Sequence, residues 1–146
     1  MGARAAGACV VAWLVVLSVY DIRERRLPNW LTMPGALAIL AAATSAGRGV
    51  PALIGAISLA ALYLVVHVIA PAAMGAGDVK LAVGLGGLTG AFGYDAWVLA
   101  AIAAPLLTAA LACVSVVCRR CDDDNGVPHG PSMCVATLAA TALVIA

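Results

Sequence analysis

The charged residues of this chain fall into a few tight clusters, and the long stretches between them carry no charge. They stand at Arg4, from Asp21 to Arg26, at Arg48, at Asp78 and Lys80, at Asp95, and from Arg119 to Asp124. Over 146 residues only 10% are charged and 64% are hydrophobic. A soluble domain carries roughly a quarter of its residues as charge, enough to face water on all sides. This chain cannot do that, whereas lipid would cover an apolar exterior without help from charge. A net charge of +1 offers nothing to a polyanion, so no nucleic-acid partner is expected.

Six apolar segments lie between the clusters, at approximately Ala5–Tyr20, Trp30–Ala46, Pro51–Ala70, Leu81–Tyr94, Ala96–Cys118 and Pro131–Ala146. They predict an all-α membrane protein, a polytopic bundle of about six transmembrane helices forming one domain over residues 1–146, with the lipid bilayer as its solvent. A straight span needs about 20 residues. The third and fifth segments meet this comfortably, while the first, fourth and last are short. The fourth holds Gly84, Gly86, Gly87 and Gly90, small residues that let neighbouring helices approach closely. The first run ends at Tyr20-Asp21 with no small-residue cleavage pattern, so it reads as a span rather than a signal peptide.

Lys and Arg in short loops set the orientation. With six spans, the first, third and fifth loops share one side and hold Arg23, Arg25, Arg26, Lys80, Arg119 and Arg120. The other side holds Arg4 and Arg48. Six against two puts loops one, three and five in the cytoplasm, both termini outside, and Asp21 and Asp78 on the cytoplasmic side.

Those two aspartates are the candidates for chemistry. Asp21 ends the first span, where a carboxylate faces the unfavourable end of the helix dipole and Arg23, Arg25 and Arg26 can offset it. Asp78 lies in Gly75-Ala76-Gly77-Asp78-Val79-Lys80-Leu81, where it could simply cap the fourth helix. Gly75 and Gly77 would then turn the chain, or admit another backbone beside the carboxylate. Peptide hydrolysis by carboxyls needs two of them: one ionised to take a proton from water, one protonated to donate. Held close, they share a proton. Lys80 could oppose a raised carboxyl pKa or bind an acidic group of a substrate. The alternative, a small non-enzymatic transport or assembly subunit, would use the aspartates as helix caps or a proton relay.

The remaining candidates have plainer readings. Pro28 suits a helix start and Asn29 a cap, so both would position the loop. His67, inside the third span, fits a structural hydrogen bond. His129, Trp30, Trp97 and Tyr94 read as interfacial anchors. Cys118 and Cys121 have CxxC spacing, yet a zinc site needs two more ligands and only His129 is near. Asp122-Asp123-Asp124-Asn125-Gly126 reads as a solvated turn. No metal or cofactor is expected.

Three strings carry a resemblance. Asp21-Ile22-Arg23-Glu24-Arg25-Arg26-Leu27-Pro28-Asn29 resembles the first aspartate motif of the type IV prepilin peptidases, with Leu27 where isoleucine is usual. Gly75 to Leu81 resembles their second motif, GxGDxKL, and Val127-Pro128-His129-Gly130-Pro131 is similar to the entry into their last helix. The resemblance implies a GxGD-class aspartic endopeptidase of the bacterial or archaeal cytoplasmic membrane. Such an enzyme cuts the basic leader from a prepilin or pilin-like protein on the cytoplasmic side, with Asp21 and Asp78 as its catalytic pair. The short form is similar to peptidases of Flp-type (tight-adherence) systems. Larger members methylate the new N-terminus and carry paired CxxC motifs in an extra N-terminal segment. The Cys118–Cys121 pair lies in the wrong loop to replace it, so methylation is not expected. Presenilin-like proteases also use Tyr-Asp and GxGD strings, but need more spans than this length provides.

Overall fold

A computed structural model describes residues 2–24, 27–71, 74–117 and 129–145. Within them the chain forms six helices: α1 (Gly2–Glu24), α2 (Asn29–Ser45), α3 (Gly49–Ile69), α4 (Ala76–Phe92), α5 (Tyr94–Val117) and α6 (Gly130–Ile145). Arg25, Arg26, Cys118, Cys121, residues 119–126 and Pro128 lie outside the described residues. Each expected segment is a helix, with shifted ends. α1 runs past Tyr20 to Glu24, so Asp21 stands inside the helix rather than closing it. α4 begins at Ala76, which puts Asp78 in its first turn. Phe92 and Tyr94 end and begin successive helices with only Gly93 between, at φ 122°, a conformation that favours glycine.

α4 packs against α2, α3, α5 and α6, and is the centre of the bundle. Its glycines explain how. A methyl on Gly90 would stand 2.6 Å from the Pro51 carbonyl oxygen, and one on Gly86 would run into the backbone of Gly55. α3 and α4 therefore touch backbone to backbone, a contact only small residues permit. Trp97 of α5 locks the same crossing, its Nε1–H donating to Gly55 O at 3.0 Å. On α5 the buried positions are Ala96, Ala100 and Ala104, one per turn. Leu14, Leu17, Leu59, Leu81, Leu85 and Met133 fill the space that remains.

The outside is the reverse. Val50, Ile54, Ile57, Val68, Ile69, Ile102, Leu106 and Leu143 are each more than half exposed. Branched apolar side chains outside and alanine, glycine and threonine inside make a membrane protein, because lipid rather than water solvates that exterior. Three stretches, Ala5–Glu24, Gly49–Ile69 and Tyr94–Val114, are long and apolar enough to cross a bilayer, and Gly130–Ile145 is a shorter apolar helix. α2 and α4 have 17 residues each. The starts of α2, α4 and α6 meet at one end of the bundle, where Lys80 bonds Asn29 and Gly130 bonds Asp21. At the other end Arg48 reaches from the start of α3 to the close of α4, its Nη1–H donating to Ala91 O at 3.2 Å.

Candidate active site

A cavity of about 530 Å³ opens at the first of those ends, lined by Asp21, Leu27, Asn29, Gly75, Ala76, Gly77, Asp78 and Lys80. Both carboxyls are at its wall, and both are 8% exposed. They come from positions 57 residues apart, on different helices.

Each carboxyl is held by a backbone amide at the start of a helix. Gly130, the first residue of α6, donates its N–H to Asp21 Oδ2 at 3.0 Å. The unfavourable dipole at the end of α1 is thus offset by the favourable one at the start of α6. A methyl on Gly130 would stand 2.6 Å from that same oxygen, so only glycine lets α6 begin here. Asp78 reaches back one turn, and its Oδ2 accepts the Gly75 N–H at 3.1 Å while Gly75 O accepts the Asp78 N–H. Asp78 is therefore not the cap residue: Gly75 holds that position and Asp78 is the acidic arm three residues on.

Asp78 stands on the aqueous side of the apolar stretch that starts at Leu81. Burial pushes its carboxyl above the usual aspartate range, and the negative charge of Asp21 adds to this. The Gly75 hydrogen bond and the charge of His67 act weakly in the opposite sense. The upward causes win, so Asp78 keeps its proton to a higher pH than a free aspartate.

Lys80 is exposed, and its ammonium donates to Asn29 Oδ1 at 2.8 Å. This corrects the reading of Asn29 as a helix cap. Pro28 occupies the cap position of α2 with no side-chain cap bond, and Asn29 is the first helical residue, tied to α4 across the cavity. Pro28 is not part of the cavity wall; its carbonyl accepts the Leu31 and Thr32 amides at 3.0 and 3.1 Å and so orders the start of α2. Gly77 is tight, since a methyl there would come within 3.3 Å of the Leu27 Cβ. Gly75 is open, with no atom nearer than 3.5 Å to such a methyl. The structural hydrogen bond expected of His67 is present: Nδ1 donates to Met74 O at 2.7 Å, pinning the segment that leads into Gly75.

Two expected anchors have other work. Trp97 is half-buried on Gly55, as above. His129 is half-buried between α3 and α5. The Thr108 hydroxyl donates to Ala104 O at 3.1 Å, so it accepts the Nδ1–H of His129. Nε2 then accepts the Tyr63 O–H at 3.3 Å. Burial lowers the pKa of His129, which keeps the ring neutral and fits this tautomer. Tyr94 is 78% exposed, and Trp30 is 65% exposed with its ring edge-on to Tyr20, as anchors would be. Among the described residues no group of three or more His, Cys, Asp or Glu side chains could hold a metal ion.

Leu27, Gly130 and the Tyr63–His129–Thr108 chain belong to the site or its support and do not stand out as such in the sequence. The glycine of the Pro-x-Gly-Pro string was the available signal, though nothing local links it to Asp21.

An all-helical bundle with an apolar exterior and two buried carboxyls on one cavity, each seated on a helix start, defines the class: a helical membrane protein with paired acidic groups at one end. Residues 8–122 match the type IV leader peptidase family, and the chain belongs to it. It is a membrane protease of that family. The match takes in both aspartate motifs and ends before α6. No curated protein and no solved structure gives a significant match to the chain.

Proposed function

We propose that the chain is an aspartic endopeptidase that removes the basic leader of type IV, Flp-like prepilins at the cytoplasmic face of a bacterial or archaeal inner membrane, with residues 1–146 acting as one multi-pass domain. The observation that carries this reading is the shared cavity: Asp21 and Asp78 line one wall, and burial and mutual repulsion raise Asp78. Family membership supports the leader substrate, and the count of Lys and Arg supports the cytoplasmic side.

The pair holds one proton, favoured on Asp78. Asp21, ionised against the Gly130 amide, takes a proton from water as the oxygen attacks the scissile carbonyl. Asp78 gives its proton to the carbonyl oxygen; then the proton taken up by Asp21 goes to the departing amine, the C–N bond breaks, and a diol hydroxyl returns a proton to Asp78 as the new carboxyl forms. Gly75 leaves room for an extended backbone next to Asp78. Lys80 and Asn29, joined across the mouth, offer a cation and an amide to the polar part of the peptide. The apolar stretch that follows a leader can lie along the lipid-facing helices.

The test is co-expression with a candidate prepilin, following leader removal on a gel. Asp21→Asn and Asp78→Asn should each lower cleavage by about a hundred- to ten-thousand-fold, the usual weight of a positioned acid or base. Either variant cleaving normally at normal membrane levels would overturn the paired-carboxyl mechanism.

A further inference from the structure

We propose that Tyr63, His129 and Thr108 are positioning residues that hold the start of α6 so that the Gly130 amide stays on Asp21. The proposal rests on the reading of Asp21 and Asp78 as the catalytic pair.

Three observations carry it. First, the three side chains form one unbroken run of hydrogen bonds across three parts of the bundle: Tyr63 on α3, His129 just ahead of α6, and Thr108 on α5. The run ends on a backbone carbonyl, since Thr108 donates to Ala104 O. Every donor in it has its acceptor, so it is a fixed link rather than an accidental contact.

Second, His129 is bonded covalently to Gly130, and its carbonyl accepts the Met133 N–H at 3.1 Å, as the residue just before a helix does. The placement of His129 therefore sets where the Gly130 N–H points. Gly130 has no side chain with which to fix itself, and the space it occupies is bounded by the Asp21 carboxyl. A bond between residues 109 apart depends on something else to bring its ends into register, and the ring of His129 does so.

Third, the strap has a partner on the other half of the site. Tyr63 is buried on α3, and its ring stacks at a tilt on His129 with centroids 5.7 Å apart. One helical turn on, His67 of the same helix holds Met74, just before the turn that carries Asp78. α3 thus steadies both aspartates, Asp78 through His67 and Asp21 through His129.

Thr108→Val separates positioning from general packing. It keeps the branched shape and removes the hydroxyl, and with it the acceptor for His129 and the helix-internal bond to Ala104 O, while Thr108 bonds none of the groups around the pair: Asp78 and Lys80 of α4, His67 of α3 and Cys134 of α6. The protein in detergent or proteoliposomes is assayed on a purified prepilin across pH. Thr108→Val should lower kcat about three- to tenfold with KM unchanged. It should also move the acidic limb of kcat up by roughly half a unit, because the ionised carboxyl loses part of its donor. Thr108→Ser restores both. Tyr63→Phe gives the same upward movement of the acidic limb, and the double variant is no worse than the worse single, since both act through His129. A limb that stays at its wild-type position in Thr108→Val and Tyr63→Phe, or losses that multiply in the double variant, would overturn the proposal. A variant that is merely less stable would lose activity without moving the limb. Asp21→Asn in the same assay tells the two ideas apart: if it still cleaves, the catalytic pair itself is wrong, and if it is dead while Thr108→Val is unchanged, only the strap is.

Discussion

Gly130 shows how much a site can hang on one missing methyl. With 2.6 Å between that methyl and Asp21 Oδ2, Gly130→Ala must displace the carboxyl or the start of α6. The expected outcome is a loss of cleavage of about a hundredfold or more, with the bundle intact by size-exclusion chromatography, since a misplacement near 1 Å costs about that much. Asp78 carries a prediction in pH. Its carboxyl must be protonated to donate, and its value is raised, so the proton is retained above the usual aspartate range and lost as pH rises through the folded value. Cleavage should therefore be bell-shaped, with a basic limb well above ~4, the ordinary aspartate value. A profile already falling at that pH would contradict the assignment. Both aspartates were legible in the sequence because each is a lone acid at the edge of an apolar run. Their partners were not. Gly130 lies 109 residues from Asp21, Asn29 lies 51 from Lys80 and Tyr63 lies 66 from His129. Side chains that far apart meet through tertiary packing alone, and no local pattern records it.

At the scale of elements, the charge clusters place every helix, because a charge inside lipid is expensive and a helix must run between two affordable ends. They say less about where a helix stops. α1 continues to Glu24 because its last turn need not be apolar once it leaves the lipid. The glycines of α4 were legible as a packing signal, but not as the mark of the central helix. That follows only from seeing α2, α3, α5 and α6 around it. Gly86→Ala makes this testable. The new methyl would meet the Gly55 backbone and lie 2.8 Å from the Leu59 Cβ, so α3 and α4 must separate and the Trp97 bond to Gly55 lengthens. Overpacking of this kind costs about 1–3 kcal/mol. A lower midpoint of thermal unfolding in detergent is the expected result. Gly7→Ala is the control: nothing lies within 4 Å of the added methyl, and the midpoint should not fall.

For the whole molecule, the buried carboxyls reach water through the cavity at one end of the bundle. α2 and α4 both start at the cavity end and have 17 residues each, about 25 Å of helix against roughly 30 Å of hydrocarbon. α3 and α5, with 21 and 24 residues, are long enough to cross in full. Both short helices begin at the cavity, so Asp21 and Asp78 stand at the end of the bundle from which the apolar stretches of α2 and α4 set out. That placement suits an enzyme whose substrate is itself anchored in the membrane, with its leader just outside it. It requires the cavity end to face the leader, which makes orientation the decisive property of the whole molecule. Arg23 is exposed near the cavity end and Arg48 at the opposite one. With the native cysteines replaced, Arg48→Cys should react with a membrane-impermeant maleimide in intact cells, and Arg23→Cys only after the membrane is opened. The reverse pattern would put the carboxyls outside the cell, away from any uncleaved leader, and the positive-inside count would have misled. The expected pattern would put the short helices, the cavity and the basic loops on one cytoplasmic surface, where a cationic leader and a shared carboxyl proton can meet.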